Sequence, residues 1–381
     1  MKNQRICIIG GGLAGLTTAM VLKNLNLDID IFFKMKDVRK SNDERSTAIS
    51  NSSFLFFKKS FEKIEKKIFW SCNKISLFYE SEIEKKKLNF LNFEEKKSYL
   101  MHIFKNKKYK NYLIKNLKGK NLRIINKNVT EINSKEGFIK SNKTKYMYDL
   151  IILCLGAQSN LYKDIIGERS IKKNYKEISL TGNIGSNFDI LNPVQYFSKE
   201  GRVAILPYEK KKFSFVWSIS QDFFLKNKKN IKELIKKKIK VTLKSKSNFK
   251  ILNNQSYPLY LNLKTKYFKK NILILGDGLH TIHPIAGQGF NLVLRDIKKL
   301  SEILKNHLNL GLSIKNSLVF KNFFNARKAE NIFFGLGIDL TRVFFKKNKT
   351  FEPFQNILLK NISKYKVVQK ISKIIADKGL F

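Results

Sequence analysis

The chain has 381 residues, a length typical of roughly two or three domains. Its hydrophobic fraction of 43% supplies enough apolar side chains for a sizeable core, which excludes a wholly disordered chain. The three cysteines, Cys7, Cys72 and Cys154, are far apart, which excludes a disulfide scaffold and a cysteine-rich zinc module. No apolar run reaches the roughly 18 residues that predict a transmembrane helix.

The chain is strongly basic, with 75 Lys and Arg against 30 Asp and Glu and a formal net charge of +45. Only nine of the basic residues are Arg, whereas phosphate and base recognition favours the arginine fork. We therefore interpret the charge as a compositional preference for Lys at surface positions and predict no nucleic-acid partner. A basic footprint for RNA or for an anionic membrane surface is the alternative.

The N-terminus predicts a βαβ unit. An apolar β-branched run at residues 6–9 leads into a G-x-G-x-x-G motif formed by Gly10, Gly12 and Gly15, and a helical pattern follows at residues 13–25. Glycines permit the tight turn and a close approach to a pyrophosphate, and the helix N-terminus presents unpaired N–H groups to it. A secretory signal peptide is the alternative, and the glycines within the apolar region argue against it.

The second strand of this unit, residues 29–33, lacks a usual feature. In dinucleotide-binding units an acidic residue ends this strand and binds the ribose hydroxyls. Here Phe33 or Lys34 occupies that position, and Asp30 falls inside the strand. The ribose contact is therefore either lost or made by another group.

The remaining pattern predicts mixed α and β structure. In chain order we expect a loop and a helix over 34–65, antiparallel strands over 66–98, a helix over 101–117, short strands over 121–154, antiparallel strands over 178–222, a basic amphipathic helix over 226–250, a buried strand over 271–275, and helices from there to the C-terminus.

A second motif, GDGLHTIHPIAGQGFN, covers residues 276–291. Asp277 follows the buried strand, where its carboxylate can accept hydrogen bonds from a polyol. Pro284 favours an extended backbone before it. Gly287, Gln288 and Gly289 open a new helix, whose N–H groups can stabilise negative charge. A purely structural Gly-rich turn is the alternative, but it does not account for the combination of Asp277, Pro284 and the Gly-Gln-Gly turn within sixteen residues.

The histidines of this motif predict no metal site. His280 and His283 are two ligands only, and Pro284 interrupts the helical spacing. We expect a structural or cofactor-adjacent role for both. His102 and His307 have no motif around them and are predicted to be packing residues.

The second motif resembles the FAD-dependent aromatic-ring monooxygenases. Residues 276–296 are especially similar to the ubiquinone-biosynthesis hydroxylase subgroup, with its pattern GD-x-x-H-x-x-x-P-x-x-GQG-x-N-x-x-x-x-D. Weaker similarities to the same family occur in the same order along the chain, at residues 43–49, 204–207, 216–217, 257–259, 325–328 and 337–340.

The resemblance implies an α/β fold in which a Rossmann-type FAD-binding domain, a β-sheet substrate domain and a helical C-terminus are combined. We predict a discontinuous FAD-binding domain at 1–75, 100–178 and 265–330, an inserted substrate domain at 76–99 and 179–264, and C-terminal helices at 331–381.

The resemblance also implies FAD as the cofactor and assigns residues to it. The implied cofactor-binding residues are Gly10, Gly12 and Gly15 at the pyrophosphate, Arg45 beside the cofactor, Asp277 at the ribityl chain, and Gly289 and Asn291. The implied catalytic residues are Pro284 beside the isoalloxazine, and Gly287 and Gln288 near its pyrimidine edge. In this family the reduced flavin captures O₂ as a C4a-hydroperoxide and transfers OH to an electron-rich ring carbon.

One segment departs from the family pattern. After the middle buried strand the family has A-D-G-x-x-S-x-x-R, a segment linked to both FAD and pyridine nucleotide. Here Leu155 replaces the Asp and Tyr162 replaces the Arg. The electron donor is therefore left open between NAD(P)H and a partner reductase.

From the resemblance we expect a monooxygenase that hydroxylates the ring of a polyprenyl-phenol or quinone precursor in ubiquinone biosynthesis. The alternatives are a hydroxylase of a small soluble aromatic and a degenerate flavoprotein acting as a structural subunit of a biosynthetic complex. The expected partners are a lipid-like aromatic substrate, O₂ and other quinone-biosynthesis proteins.

The expected location is the cytoplasm, with or without peripheral attachment to the inner face of the membrane. Residues 323–381 interleave apolar residues with Lys. This pattern indicates either packed helices with solvated Lys or a basic, apolar surface that docks on anionic lipid.

Overall fold

The computed structural model describes residues 4–40, 43–61, 63–81, 87–157, 159, 161–162, 167, 169–198, 200–245, 247–345 and 352–379. The strands are β1 (Arg5–Ile9), β2 (Asp28–Phe32), β3 (Ser46–Ser50), β4 (Phe69–Cys72), β5 (Lys74–Glu80), β6 (Lys87–Glu94), β7 (Met101–Lys105), β8 (Leu122–Ile125), β9 (Glu131–Asn133), β10 (Phe138–Ser141), β11 (Thr144–Met147), β12 (Leu150–Leu153), β13 (Ser170–Gly185), β14 (Val194–Ser198), β15 (Gly201–Glu209), β16 (Lys212–Ser220), β17 (Lys250–Lys264), β18 (Phe268–Lys269), β19 (Ile272–Ile274) and β20 (His280–Thr281). The helices are α1 (Leu13–Leu22), α2 (Met35–Lys40), α3 (Asn51–Ser60), α4 (Asn106–Asn116), α5 (Gln221–Asn227), α6 (Ile231–Leu243), α7 (Gln288–Asn309), α8 (Ser317–Phe344), α9 (Glu352–Lys364) and α10 (Lys366–Lys378).

The dinucleotide-type half of the fold is built on a largely parallel sheet. Among the described residues its strand order is β18-β19-β12-β1-β2-β8, and only β18 is antiparallel to its neighbour. β12 is buried at every position and β1 at all but its first, as expected for parallel strands covered on both faces. The parallel order confirms the predicted Rossmann-type α/β fold.

The second large sheet has a core face and a cavity face. Within the described residues its order is β20-β17-β13-β16-β15-β14-β5-β6, antiparallel except for the parallel β14–β5 pair. Side chains alternate across a sheet. In β15 and β16, Val203 and Trp217 therefore pack into the core with Ile235 of α6, whereas Ala204 and Val216 line the cavity.

A small sheet in the order β3-β7-β4 corrects two local predictions. The helix predicted over 101–117 is wrong in its first turn, because Met101–Lys105 is strand β7 and helix α4 begins at Asn106. The loop predicted after residue 34 contains strand β3, which pairs with β7 from Ser46–Lys105 to Ser50–Met101. Both strands form through pairing between distant segments, which local periodicity does not report.

The basic helix predicted over 226–250 exists but ends early. It corresponds to the end of α5, a 3₁₀ turn at Lys228–Asn230, and α6, whose buried face includes Ile235 and Ile239. α6 ends at Lys244, which adopts a left-handed φ of 51°. The residues from Lys250 onward belong instead to β17, where they pair with β13.

The C-terminal region is helical, as predicted, with α7, α8, α9 and α10 following the second motif. α7 packs against α1 and against α8, and it therefore joins the parallel sheet to the C-terminal helices. In the part of the chain that the structure describes, no helix has the length and apolarity to cross a membrane.

Candidate active site

A cavity of about 1170 Å³ is lined by residues from the segments that follow strands of the parallel sheet, from the small sheet, from the eight-stranded sheet and from the C-terminal helix α10. Most of the predicted site residues lie on its wall: Gly12, Arg45, Asp277, Pro284, Gly287, Gln288, Gly289 and Asn291. Gly10 lies in the turn before Gly12, and Gly15 lies in the first turn of α1. The structure therefore brings the two sequence motifs, which are more than 250 residues apart, to one cavity.

The turn after β1 requires its glycines for two different reasons. Gly10 has a φ of +129°, and a Cβ on Gly15 would lie 2.0 Å from the Gly10 carbonyl oxygen, so both residues permit the tight packing of the turn. A Cβ on Gly12 would meet nothing within 4 Å, because this residue faces the cavity. Gly12 is also the N-cap of α1, and no side chain caps the first N–H groups. They are therefore available to an anion.

Asp30 does not face this cavity. Its carboxylate is buried and accepts hydrogen bonds from Arg123 (Nε, 2.8 Å), Tyr148 (Oη, 2.7 Å) and Arg5 (3.2 Å). Burial opposes its ionisation, but the hydrogen bonds from Arg123 and Tyr148 and the nearby guanidinium charges lower the pKa of Asp30 below its usual value. The acidic residue inside the second strand is therefore a structural carboxylate.

Arg45 is held at the cavity wall by a carboxylate that the sequence analysis did not assign. Its Nε and Nη2 donate to the two oxygens of Asp43 at 2.8 and 3.1 Å, and its guanidinium lies 5.2 Å from the centre of the Tyr257 ring. Asn106 also donates to Asp43. Burial opposes ionisation, but Arg45 and Asn106 lower the pKa of Asp43 to about 2. At neutral pH both partners are charged, and an Arg45–Asp43 ion pair is therefore fixed at the cavity wall.

Asp277 presents an unpaired carboxylate to the cavity. It lies in the 3₁₀ turn Gly276–Gly278 directly after β19, where Gly276 has a φ of +78°. Among the described residues, no side chain donates a hydrogen bond to this carboxylate. The surrounding protein desolvates it and raises its pKa, although His280 and Arg45 act in the opposite direction. The carboxylate is therefore an acceptor that lacks a donor within the chain.

The segment that departs from the family pattern packs directly beneath this turn. The Tyr162 hydroxyl donates to the Leu155 carbonyl, and a Cβ on Gly278 would lie 2.1 Å from the same hydroxyl. Leu155 lines the cavity. Tyr162 thus places a neutral ring at the position where the family carries an arginine. Residue 278 must be a glycine because the Tyr162 ring lies so close to it.

The Gly-Gln-Gly turn begins α7 at the cavity. Gly287 is the N-cap with a left-handed φ of 64°. Gln288 is buried, and its Nε2 donates to the Ala376 carbonyl of α10 at 3.3 Å. In the described part of the chain its Oε1 has no partner. Like Asp277, Gln288 therefore has an unused acceptor at the cavity.

Asn291 lines the same turn but uses its amide within the protein. Its Oδ1 accepts from the Ser50 N–H and from the Ser53 hydroxyl, both at 2.9 Å, and its Nδ2 donates to the Gly287 carbonyl at 3.3 Å. Asn291 therefore joins the start of α3 to the Gly-Gln-Gly turn. This geometry favours a positioning role over the direct cofactor contact expected from the motif.

Both histidines of the second motif bind carboxylates. His280 Nε2 lies 2.7 Å from Asp296 Oδ2, and His283 Nε2 lies 3.0 Å from Glu177 Oε2. Neither histidine is among the residues that line the cavity. This arrangement fits the structural role expected for them.

The part of the cavity under the eight-stranded sheet is mainly apolar. Its apolar wall comes from several strands and the loop before β14: Ile75, Leu77, Phe93, Pro193, Val194, Ala204, Leu206, Val216 and Leu259. A few polar side chains are placed among them: Ser179, Thr181, Gln195 and Gln255. Most of these residues could not be predicted as cavity-lining, because alternation identifies a strand but not which of its faces lines a cavity.

Two known family models match different halves of the chain. Residues 4–184 match the family model described as pyridine nucleotide-disulphide oxidoreductase, and residues 195–371 match that of squalene epoxidase. The mitochondrial ubiquinone biosynthesis monooxygenase COQ6 of Dictyostelium discoideum is 36% identical over 115 residues, which are 29% of this chain and 23% of that protein. The aligned segment therefore spans about a quarter of the relative's length.

Solved structures match over nearly the whole chain. The p-nitrophenol 4-monooxygenase PnpA from Pseudomonas putida DLL-E4 gives a TM-score of 0.80 at 14% identity, covering 98% of both chains. Klebsiella pneumoniae HpxO, solved in complex with FAD and uric acid, gives 0.72 at 11% identity, covering 98% of this chain and 97% of HpxO. In fold, the chain is similar to PnpA and HpxO over nearly its whole length, which confirms the fold predicted from the motifs. FAD is the cofactor bound in the HpxO complex.

Proposed function

We propose that this chain, which has the fold of the FAD-dependent monooxygenases, uses FAD to hydroxylate the aromatic ring of a polyprenyl-phenol or quinone precursor. One observation carries the proposal. A single cavity joins a dinucleotide-type glycine turn and an unpaired Asp277 carboxylate to an apolar chamber under the eight-stranded sheet. A cofactor end and an apolar substrate end are what ring hydroxylation requires of a binding site.

The residues at the cofactor end fit FAD. The open backbone at Gly12 and the uncapped N-terminus of α1 suit a pyrophosphate, and the Asp277 carboxylate suits the hydroxyl groups of a ribityl chain. The unpaired Oε1 of Gln288 and the first turn of α7 suit the polar edge of a flavin ring. When bound there, FAD would supply O₂ activation and oxygen transfer to a ring carbon.

The protein's own contribution at the substrate end is to orient the ring and to exclude water. Apolar side chains such as Leu77, Leu206 and Val216 favour the burial of a hydrocarbon substrate. Thr181 and Gln195 lie among them and can hydrogen-bond a phenol or quinone oxygen. Pro284, Gly287 and Gln288 lie between the two ends as cavity-lining residues, and we propose that they position the reacting groups.

The lipid-like substrate is supported by two observations. The apolar chamber suits a prenylated ring, and the segment similar to COQ6 comes from a ubiquinone-biosynthesis monooxygenase. The electron donor in this proposal is NAD(P)H or a partner reductase. The packing of Tyr162 against Leu155, where the family has Arg and Asp, favours the partner reductase.

A small soluble aromatic is the second candidate substrate. It is favoured by the full-length similarity in fold to PnpA, which is named as a p-nitrophenol 4-monooxygenase. A structural subunit without flavin is the candidate outside the enzyme class. The unpartnered buried Oε1 of Gln288 argues against it, because a purely structural site has no need of an unpaired buried polar atom. The Asp277 carboxylate, which faces the cavity without a donor among the described residues, argues in the same direction.

Two measurements separate these candidates. Purified protein reconstituted with FAD is expected to show flavin absorbance, and failure to bind FAD would favour the structural subunit. Mass spectrometry of lipid quinones in a deletion strain is expected to show a precursor that lacks one ring hydroxyl. A normal quinone profile together with FAD binding would favour the small soluble aromatic.

A further inference from the structure

The second strand of the βαβ unit, β2, ends without the acidic residue that usually binds the adenosine ribose of a dinucleotide. Phe33 and Lys34 are the two residues that follow β2 in the sequence. Asp30 lies earlier in the strand, and its carboxylate accepts hydrogen bonds from Arg123 and Tyr148 within the protein. The ribose contact therefore depends on what Phe33, Lys34 and their neighbours offer.

The Phe33 ring packs against the glycine turn. A Cβ on Gly11 would lie 2.7 Å from Cγ of this ring, so the ring covers the Gly11 backbone directly. Phe33 belongs to the main hydrophobic core and is only 6% exposed, whereas Lys34 is exposed. Phe33 is therefore the residue beside the turn, and an apolar ring accepts no hydrogen bond from a ribose hydroxyl.

Helix α2 brings a second apolar side chain to the same place. The helix begins directly after Lys34, and the N–H of Val38 donates to the Lys34 carbonyl at 3.2 Å. In this turn of helix the Val38 side chain comes within 2.6 Å of the position that a Cβ on Gly11 would take. Phe33 and Val38 therefore cover Gly11 together, and we call these two side chains the apolar cover.

Two polar side chains lie beside helix α2 or within it. The Oδ1 of Asn126, just after β8, accepts the N–H of Met35 at 2.8 Å and is therefore already used at the start of α2. Asp37 lies in the first turn of α2 and is exposed. Asp37 directly precedes Val38, and successive residues of a helix project about 100° apart, so Asp37 does not share the face that covers Gly11.

The cavity ends short of the apolar cover. Its wall includes residues 12–14 at the start of α1, but none of the described residues at the end of β2 or in α2. The position proposed for the pyrophosphate is therefore open to the cavity, whereas Gly11, one residue earlier, is covered by apolar side chains. By contrast, the Asp277 carboxylate and the Oε1 of Gln288 belong to cavity-lining residues in the part proposed for the flavin half of FAD.

We propose that this chain holds FAD mainly by its flavin half, because the apolar cover leaves the adenosine ribose without its usual hydrogen bonds. This inference rests on the proposed function, since it concerns the same FAD site. FMN carries the flavin half with one phosphate, and ADP carries the adenosine half. The proposal therefore predicts little preference for FAD over FMN and weak binding of ADP, whereas a chain that anchors the ribose would show the reverse.

Isothermal titration calorimetry of the FAD-free full chain with FAD, FMN and ADP tests the proposal without any substitution. FMN should bind within about tenfold of FAD, because the hydrogen bonds that favour the adenosine half are missing. ADP should bind at least about a hundredfold more weakly than FMN. A larger preference for FAD over FMN, or ADP binding as tight as FMN binding, would overturn the proposal and leave the proposed function intact. Failure to bind either flavin would contradict both, so the two failures are distinguishable.

Substitutions at three positions locate the missing acceptor. Phe33→Glu places a carboxylate against the glycine turn and should raise the ratio of FAD affinity to FMN affinity at least about fivefold. Lys34→Glu, the matched control, places the same side chain at the adjacent exposed position and should leave the ratio unchanged, as should Asp37→Asn. An equal rise in Lys34→Glu, a fall in Asp37→Asn, or an unchanged ratio in folded Phe33→Glu would overturn the proposal. Because Phe33 is buried, thermal unfolding without flavin checks that Phe33→Glu is folded. If it is not, the titrations of the parent and of Asp37→Asn decide.

Discussion

The Asp377 carboxylate accepts a hydrogen bond of 2.8 Å from the backbone N–H of Ser52 in the first turn of α3. A carboxylate at this position also interacts favourably with the helix dipole. The Ser50 hydroxyl donates to the Asp377 carbonyl, and Gln288 donates to the neighbouring Ala376 carbonyl. The end of α10 is thereby fixed over the Gly-Gln-Gly turn and closes one side of the cavity.

Asp377→Ala should loosen this closure. We expect a loss of about 1 kcal/mol in the free energy of unfolding, because one charge-assisted hydrogen bond at a helix N-terminus is removed. We also expect faster release of FAD, measured by the recovery of free-flavin fluorescence after dilution. Asp189→Ala, at an exposed loop residue, is the control. Identical FAD release from the two variants would contradict a closing role for α10.

Gly15 and Gly12 should respond differently to the same added methyl group. A Cβ on Gly15 would lie 2.0 Å from the Gly10 carbonyl oxygen, so Gly15→Ala should destabilise the protein by about 2 kcal/mol and reduce FAD retention. A Cβ on Gly12 has space, so Gly12→Ala should cost less than about 1 kcal/mol. Thermal unfolding without FAD measures both.

Gly12→Ala also tests the proposed pyrophosphate position. The added methyl group enters the cavity, so FAD affinity should fall by at least about tenfold although the fold is intact. FAD titration monitored by flavin fluorescence measures this change. Full affinity in Gly12→Ala would place the pyrophosphate elsewhere.

Local patterns were sufficient to predict the elements whose partners are near in sequence. The βαβ unit was predicted because β1, the glycine turn and α1 follow one another directly. Strand β7 was missed because it exists only by pairing with β3 and β4, and its sequence continues into α4 without interruption. Asp30 was recognised as misplaced for a ribose, but its partner Arg123 is 93 residues away and could not be inferred.

The candidate site also divides into residues that a local motif predicts and residues whose partners are distant in sequence. Asp277 and Gln288 belong to a compact motif and were predicted. The α10 wall was not, because Asp377 lies in a Lys-rich segment without a motif, and its contact with Ser52 spans 325 residues. Periodicity identified β15 and β16 but could not indicate that Ala204 and Val216 face a cavity, since this depends on what packs against each face of the sheet.

Asp277→Asn should separate cofactor binding from stability. The carboxylate is desolvated and without a donor in the chain, so its pKa is raised and its ionised form destabilises the FAD-free protein at neutral pH. The neutral amide should therefore make the FAD-free protein at least as stable as the parent at pH 7. FAD affinity should fall about tenfold or more, because hydrogen bonds to a charged acceptor are weakened.

The difference in stability between Asp277→Asn and the parent, both without FAD, should change with pH in a defined direction. Because the folded-state pKa of Asp277 is raised, lowering the pH toward that value relieves the destabilisation in the parent, and the advantage of Asp277→Asn should shrink. Urea unfolding of both FAD-free proteins at pH 7 and at about pH 4 measures the difference, the lower value lying near the unfolded pKa of Asp. Lower stability of Asp277→Asn at pH 7 would show that the carboxylate has a structural donor.

Glu177 should control the stability of the protein at low pH through the charge cluster that it forms with Arg202, His283 and Arg342. Burial opposes its ionisation, but the hydrogen bonds from His283 and Arg342 and the charge of Arg202 lower the pKa of Glu177 from 4.5 to about 2. A depressed folded-state pKa contributes stability that is present above the unfolded pKa and is lost as the pH falls from about 4.5 to about 2. The full shift corresponds to about 3 kcal/mol.

Glu177→Gln tests this cluster. At pH 7 we expect a loss of a few kcal/mol, about 3 as an order of magnitude, because Arg202 and Arg342 lose a buried counter-charge. The pH dependence of stability between about 4.5 and 2 should also become shallower, measured by urea unfolding across that range. Glu131→Gln is the control, since its exposed pair with Lys140 should contribute less than about 1 kcal/mol. An unchanged acid slope in Glu177→Gln would mean that other carboxylates carry the acid sensitivity and that this cluster is not its source.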